Sequence, residues 1–180
     1  MRRSILIAWL ALAFVAPACS GGSPPADGTV GPSGSPAVNA TSAPLLPTDA
    51  EALPAVTLAT FQQLLDQLRG TPVLVNVWGS WCGPCTEEAP DLAWAAGRYG
   101  ARVQFLGLDI LDDRPSARTF MRRFGWRYPS LYDADGAVRN GLGFIGQPVT
   151  VIYDRAGTRT FTWIGPTNRD LLRQHLEPFV

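Results

Sequence analysis

The chain has 180 residues, 46% of them hydrophobic, with 15 basic and 15 acidic side chains and three cysteines. That size and balance fit one globular domain with appendages, and they exclude the basic excess of a nucleic-acid-binding surface. A fold stapled by structural disulfides is excluded too, because after Cys19 only Cys82 and Cys85 remain.

The N-terminus is a targeting segment. Arg2 and Arg3 precede an apolar run from Ile5 to Val15, too short to be assigned as a spanning helix, so residues 1–18 read as a signal peptide. Three fates stay open at its end. Cys19 followed by Ser20-Gly21-Gly22 resembles a bacterial lipobox, which would make Cys19 the lipidated first residue of the mature protein. Ala16-Pro17-Ala18 also fits ordinary cleavage and secretion, and an uncleaved signal anchor is the third reading. All three put the domain outside the cytoplasm, with lipid anchoring the favoured one. Without Arg2 and Arg3 the remainder is slightly acidic, so membrane attachment would rest on the lipid and not on charge.

Residues 19–53 are rich in Pro, Gly, Ser, Ala and Thr, a composition that buries too little apolar surface to order itself. They read as a tether with a root-mean-square span of roughly 30 Å. From residue 54 to 180 the periodicity is that of an alternating α/β domain. Thr60 is placed to cap a short helix bearing Phe61, Leu64, Leu65 and Leu68 and ending at Gly70. Val73 to Trp78 is a near-continuous apolar strand, expected at the centre of a sheet. A helix opening at Trp81-Cys82-Gly83-Pro84-Cys85 runs to Tyr99 and stops at Gly100. Val103 to Ile110 is the next strand, and Asp113 with Pro115 opens a helix through Phe124 that ends at Gly125. Arg114, Arg118 and Arg122 recur on it at helical spacing and read as a solvated face. After Tyr128 to Tyr132, a turn at Asp133-Ala134-Asp135-Gly136 leads to a short segment ending near Gly143. Val149 to Tyr153 and Thr158 to Trp163 then form a hairpin, and an amphipathic helix spans Asn168 to Leu176.

The chemistry lies in Cys82 and Cys85. Residues at i and i+3 share a helical face, so the two thiols can close into a disulfide and reopen. Cys82, at the helix N-terminus, gains from unpaired N–H groups and the positive end of the helix dipole, which favour a thiolate and mark it as the nucleophile. Cys85, a turn deeper, is the resolving thiol. Pro84 suits a first turn that needs no N–H, and Gly83 leaves the approach to Cys82 open. A zinc site is disfavoured because the chain offers only Cys19 and His175 as further soft ligands, so no metal and no cofactor beyond the redox-active pair is expected.

Strand, Trp-Cys-Gly-Pro-Cys, helix, strand, helix, and an X-Pro ahead of a hairpin resemble the thioredoxin fold, a central mixed sheet flanked by helices. More narrowly, the chain resembles the TlpA/ResA branch of membrane-tethered, extracytoplasmic thiol-disulfide oxidoreductases. Asn76 stands six residues before Cys82, where cytoplasmic thioredoxins have a buried aspartate, and Cys85-Thr86-Glu87-Glu88-Ala89-Pro90 matches that branch's Cys-x-x-Glu-x-Pro. The resemblance implies that Glu88 tunes the thiols or relays a proton, the alternative being a solvated first-turn acid. It implies that Pro90 kinks the helix, that Pro148 is cis beside the thiols, and that Trp81 and the Gln147 backbone belong to the substrate platform. Gln147 stands where the family often has Thr or Val. Trp78 reads as core, and His175 as non-catalytic.

The expected function is therefore reduction of disulfides in exported proteins, apocytochrome c being a client the resemblance suggests, by a monomer re-reduced by a membrane electron donor. A disulfide-forming oxidase and a redox-silent binding module are the alternatives. A peroxidase of related fold would need an upstream Thr-x-x-Cys, which this sequence lacks.

Overall fold

The computed structural model describes residues 43–180, so the signal peptide, Cys19 and residues 19–42 of the expected tether lie outside the described residues. Eleven elements follow in order: α1 (Leu58–Gln67), β1 (Val73–Trp78), α2 (Gly83–Tyr99), β2 (Gln104–Ile110), α3 (Arg114–Phe124), β3 (Ser130–Asp133), α4 (Ala137–Gly141), β4 (Val149–Tyr153), β5 (Arg159–Ile164), α5 (Arg169–Leu176) and a closing 3-10 turn (Glu177–Phe179). The sheet order is β3-β2-β1-β4-β5. β1, β2 and β3 run parallel, while β4 lies antiparallel to β1 and β5 antiparallel to β4. This is the mixed, helix-flanked sheet that the resemblance implies.

Period-2 alternation builds two cores from β1. Leu74 and Trp78 face α2, α3 and α5, packing with Ala89, Leu92, Phe120, Met121 and Leu172. Val73, Val75 and Val77 face the other side, with Phe61 and Leu64 of α1 and Val138 of α4. Every residue of β1 is buried, as expected of a central strand covered on both faces. Gly125 takes the left-handed C-cap of α3, at φ 66°.

Three expectations change. The cap of α1 is Thr57, whose hydroxyl accepts from the Thr60 N–H at 3.1 Å, so the helix begins earlier than a Thr60 cap implies. The short segment after the Asp133–Gly136 turn, to which the periodicity assigns no element type, holds the five-residue helix α4.

The largest change is at the domain boundary. The expected tether ends at residue 53, yet Leu53 is fully buried, and Leu45 and Leu46 pack on the α1 side of the sheet. Gln67 of α1 accepts from the Leu45 N–H and donates to the Ala43 carbonyl. The arginines expected to be solvated hold this lead segment. Arg114 Nε donates to the Leu53 carbonyl, Arg118 to the carbonyls of Glu51 and Ala52, and Arg122 to the Glu51 carboxylate. Beyond the clamp, Ala55 bridges Tyr132 and covers the outer edge of β3. The composition of 43–53 is linker-like, but three leucines and the backbone carbonyls offered to α3 suffice to dock it.

Leu53 sits at φ 46° and fills the α3 side of the core. Leu53→Ala is expected to lower unfolding stability by about 2–5 kcal/mol, the cost of emptying a buried leucine site. A urea midpoint that does not move would return the lead segment to the status of a tether.

Candidate active site

The C-terminal end of β1 leads through Gly79-Ser80-Trp81 to Cys82, the N-cap of α2. Cys82 and Cys85 are joined as a disulfide, with Cα atoms 5.2 Å apart. The Cys85 N–H points at Cys82 Sγ at 3.2 Å, so the helix N-terminus offers a backbone donor to the sulfur expected to carry negative charge on reduction. Cys82 is 4% exposed and Cys85 not at all, which orders them as an outer and an inner thiol. Gly83 and Pro84 are exposed beside them.

Trp81 is 52% exposed, its indole N–H directed at the Ile110 carbonyl at 3.4 Å. The ring lies back across Gly79, where a Cβ would fall 2.8 Å from Nε1, so a side chain at 79 would displace it. Trp78 is core, between Phe120 and Trp126. The Gln147–Pro148 bond is cis. Val77 of β1 pairs with Val149, which places Pro148 at the same end of the sheet as the thiols. Gln147 is half-buried and accepts a long 3.5 Å contact from Arg139. Exposed Ile145, Trp163 and Ile164 belong to the cis-proline loop and to the end of β5, which Gly165 ties to the Pro148 carbonyl. His175 stacks on Phe161, with ring centroids 3.6 Å apart.

Glu88 is buried under this surface, not solvated, whereas Glu87 is exposed. Its carboxylate accepts from Asn76 Nδ2 at 2.8 Å and from the Thr167 N–H at 2.8 Å. Desolvation pushes its pKa up from 4.5 to about 7, with the Thr167 and Asn76 hydrogen bonds pulling the other way. Asn76 also approaches Thr150 Oγ1 at 3.5 Å. The phenol of buried Tyr128 is held protonated by burial and by the Glu88 charge. Among the described residues no cluster of three or more His, Cys, Asp or Glu side chains is placed to hold a metal ion.

The structure thus collects Trp81, Cys82, Gly83, Pro84, Cys85, Gln147 and Pro148 at one end of the sheet, with Glu88 beneath. Sequence reasoning missed Thr167, whose backbone closes on Glu88 from 79 positions away, and Asp112, which holds Ser80. Neither carries a local signal, because both act across the fold.

Comparison with known proteins agrees with this geometry. A sequence profile of the AhpC/TSA family matches residues 50–161. The thiol:disulfide interchange protein DsbE of Allochromatium vinosum is 36% identical over 116 residues, covering 64% of this chain and 63% of the relative. The thiol-disulfide oxidoreductase ResA of Geobacillus thermodenitrificans is 30% identical over 114 residues, 63% of this chain and 66% of the relative. The chain thus spans a little under two thirds of the length of these relatives. Among solved structures, a secreted Mycobacterium tuberculosis disulfide oxidoreductase homologous to Escherichia coli DsbE superposes with a TM-score of 0.58 at 28% identity, covering 63% of this chain and 85% of that one.

The Glu88 environment makes stability pH-dependent with a fixed sign. A carboxyl whose folded pKa lies above its unfolded value favours folding fully below the unfolded pKa and loses that contribution as pH rises to the folded one. For Glu88 that window runs from 4.5 to about 7, a loss on the order of 3 kcal/mol. Glu88→Gln is expected to flatten that slope in urea unfolding of the oxidised protein. Asn76 can rotate its amide to receive the new N–H, since its Oδ1 has no partner. An equally steep slope in the variant would show that Glu88 is not the titrating group.

Proposed function

The chain belongs to the AhpC/TSA family, and on that footing we propose that it is an extracytoplasmic thiol-disulfide oxidoreductase that reduces disulfides in exported proteins. The observation that carries the reading is the Cys82–Cys85 pair at the N-terminus of α2, closed as a disulfide beside the cis proline. In the reduced protein the Cys82 thiolate attacks one sulfur of a substrate disulfide and expels the other as a thiolate, leaving a Cys82–substrate mixed disulfide. The Cys85 thiolate then attacks Cys82 Sγ, forms the Cys82–Cys85 bond and releases the second substrate thiol. Two electrons pass from the dithiol to the substrate, and the disulfide seen here is the spent form.

Each neighbour has a role in that sequence. The Cys85 N–H and the helix dipole stabilise the Cys82 thiolate as nucleophile and as leaving group. Glu88, one helical turn from Cys85 and with a pKa near neutrality, accepts the proton that the inner thiol loses. Trp81, Gly83, Pro84 and Gln147 form the platform on which a client strand lies, and Ile145 extends it with apolar surface. Lipidation at Cys19, a membrane donor that returns electrons to the pair, action as a monomer, and clients that include apocytochrome c complete the proposal. An export route is supported by the signal-like N-terminus and by the likeness to a secreted Mycobacterium tuberculosis disulfide oxidoreductase.

The direction of electron flow is tested by the reduction potential of the Cys82/Cys85 couple, equilibrated in thiol buffers and followed by tryptophan fluorescence. A value near about −270 mV is expected of a reductase, and one near about −120 mV would make the protein an oxidant. Cys82→Ser is expected to abolish exchange, while Cys85→Ser should accumulate the mixed disulfide with a client; recovery of no such adduct would count against the nucleophile–resolver order. Above about pH 7 exchange by Glu88→Gln should lose the step that Glu88 contributes, and a wild-type pH–rate profile in that variant would remove the proton-relay role.

A further inference from the structure

The loop from β2 to α3 carries more polar architecture than the start of a helix requires. Leu111 lies at φ 51°, a left-handed conformation that a residue with a Cβ adopts only where its surroundings hold it. They do so here: its N–H donates to the Asp133 carbonyl, and the Tyr132 hydroxyl donates to the carbonyl of Asp112. The turn brings the Asp112 side chain back onto the approach to the thiols. One Asp112 oxygen accepts from the Ser80 N–H, and the other from Ser80 Oγ at 2.9 Å and from the Asp113 N–H at 2.8 Å. The carbonyl of Ile110, the last residue of β2 before this loop, accepts from the Trp81 indole N–H. Ser80 and Trp81 are the two residues before Cys82, so this loop holds the segment that delivers the nucleophile.

Behind Asp112 stands Asp109. It is fully buried on β2, paired in register with Trp78, and neither of its oxygens has a donor. Of the charged groups that act on it, Asp112, Asp113 and Arg114, the Asp112 carboxyl is the one with which it can share a hydrogen bond. Two carboxyl groups can share a hydrogen bond only when one carries a proton. The buried member is the one that keeps it.

We propose that Asp112 is a positioning residue for the redox pair and that Asp109, as a neutral acid, donates to Asp112 and holds it on Ser80. The inference deepens the reading of Cys82 as an exchange nucleophile and rests on that reading. Burial, the Asp112 charge, the shared hydrogen bond and the Asp113 charge push the Asp109 pKa up to about 9, while Arg114 pulls it down. At neutral pH the acid form holds. On ionisation the pair becomes two facing carboxylates, Asp112 leaves Ser80, and the Trp81–Cys82 segment loosens. Exchange then has an alkaline limit that the thiols do not set.

Two measurements on the full chain test this. In the oxidised protein, carboxyl 13C resonances and the Trp81 indole N–H resonance are followed from about pH 5 to about pH 11. Asp109 should titrate on the alkaline side, and the Trp81 resonance should move with it in wild type but not in Asp109→Asn, which keeps an N–H donor toward Asp112. An Asp109 carboxyl titrating in the ordinary range, or a Trp81 resonance moving equally in the variant, overturns the proposal.

In the reduced protein, exchange with glutathione disulfide is timed. Asp112→Ala and Asp109→Leu should slow it about tenfold or more at neutral pH, whereas Asp109→Asn should stay within about twofold of wild type and lose the alkaline fall. An Asp112→Ala rate within about twofold of wild type overturns the positioning role. Absence of exchange in the wild type would strike the oxidoreductase reading instead, and the Trp81 titration would then decide the clamp alone.

Discussion

Strand β1 has no exposed residue, and the redox end of the molecule is fixed by reference to it. Its two neighbours, β2 and β4, run in opposite senses, so the C-terminal end of β1 meets the C-terminal end of β2 and the N-terminal end of β4. The thiols issue from the first, the Leu111–Asp113 loop from the second, and Pro148 precedes the third. Three segments distant in sequence converge because one strand pairs with both others, and a register slip of one residue would exchange its two faces.

That alternation also chooses the chemistry beneath the thiols. Asn76 lies on the α2 side with Leu74 and Trp78, so its amide can reach Glu88 from below. Glu88 is brought there by helical spacing from Cys85, one turn along a helix that Cys82 begins. The second donor to Glu88 comes from the segment before α5, which packs on α2 at the far end of the chain. A carboxyl placed this way exists only in the assembled fold, and its raised pKa reflects tertiary structure.

Most of the scaffold was legible in the sequence because its signals are local. The near-continuous apolar run Val73–Trp78, Pro84 after Cys82, Asp113 with Pro115, and Gly125 after α3 each act within a few residues. What stayed hidden depends on partners. Arg114, Arg118 and Arg122 have the spacing of a solvated face, and only the carbonyls of Glu51 to Leu53 convert them into a clamp. Leu45, Leu46 and Leu53 are too few to lift the linker composition around them. The five residues of α4 are too short for a helical period to register. Glu88 was identifiable as a candidate by its spacing, but its burial was not, since the same spacing serves a solvated first-turn acid.

The two buried carboxyls near the thiols show how partners, more than burial, divide labour between like groups. Both lose water, and that loss raises both. Glu88 faces two N–H donors, which favour its charged form and leave it poised near pH 7. Asp109 faces another carboxylate, which disfavours charge, and it is left near pH 9. At neutral pH the first can gain or lose a proton as the dithiol opens and closes, because a group is an effective acid or base when its pKa is close to ambient pH. The second holds its proton through the same cycle and so can serve as a fixed donor. A side chain suited to moving protons and one suited to holding position thus arise from the same functional group within one site, separated by what each was folded against.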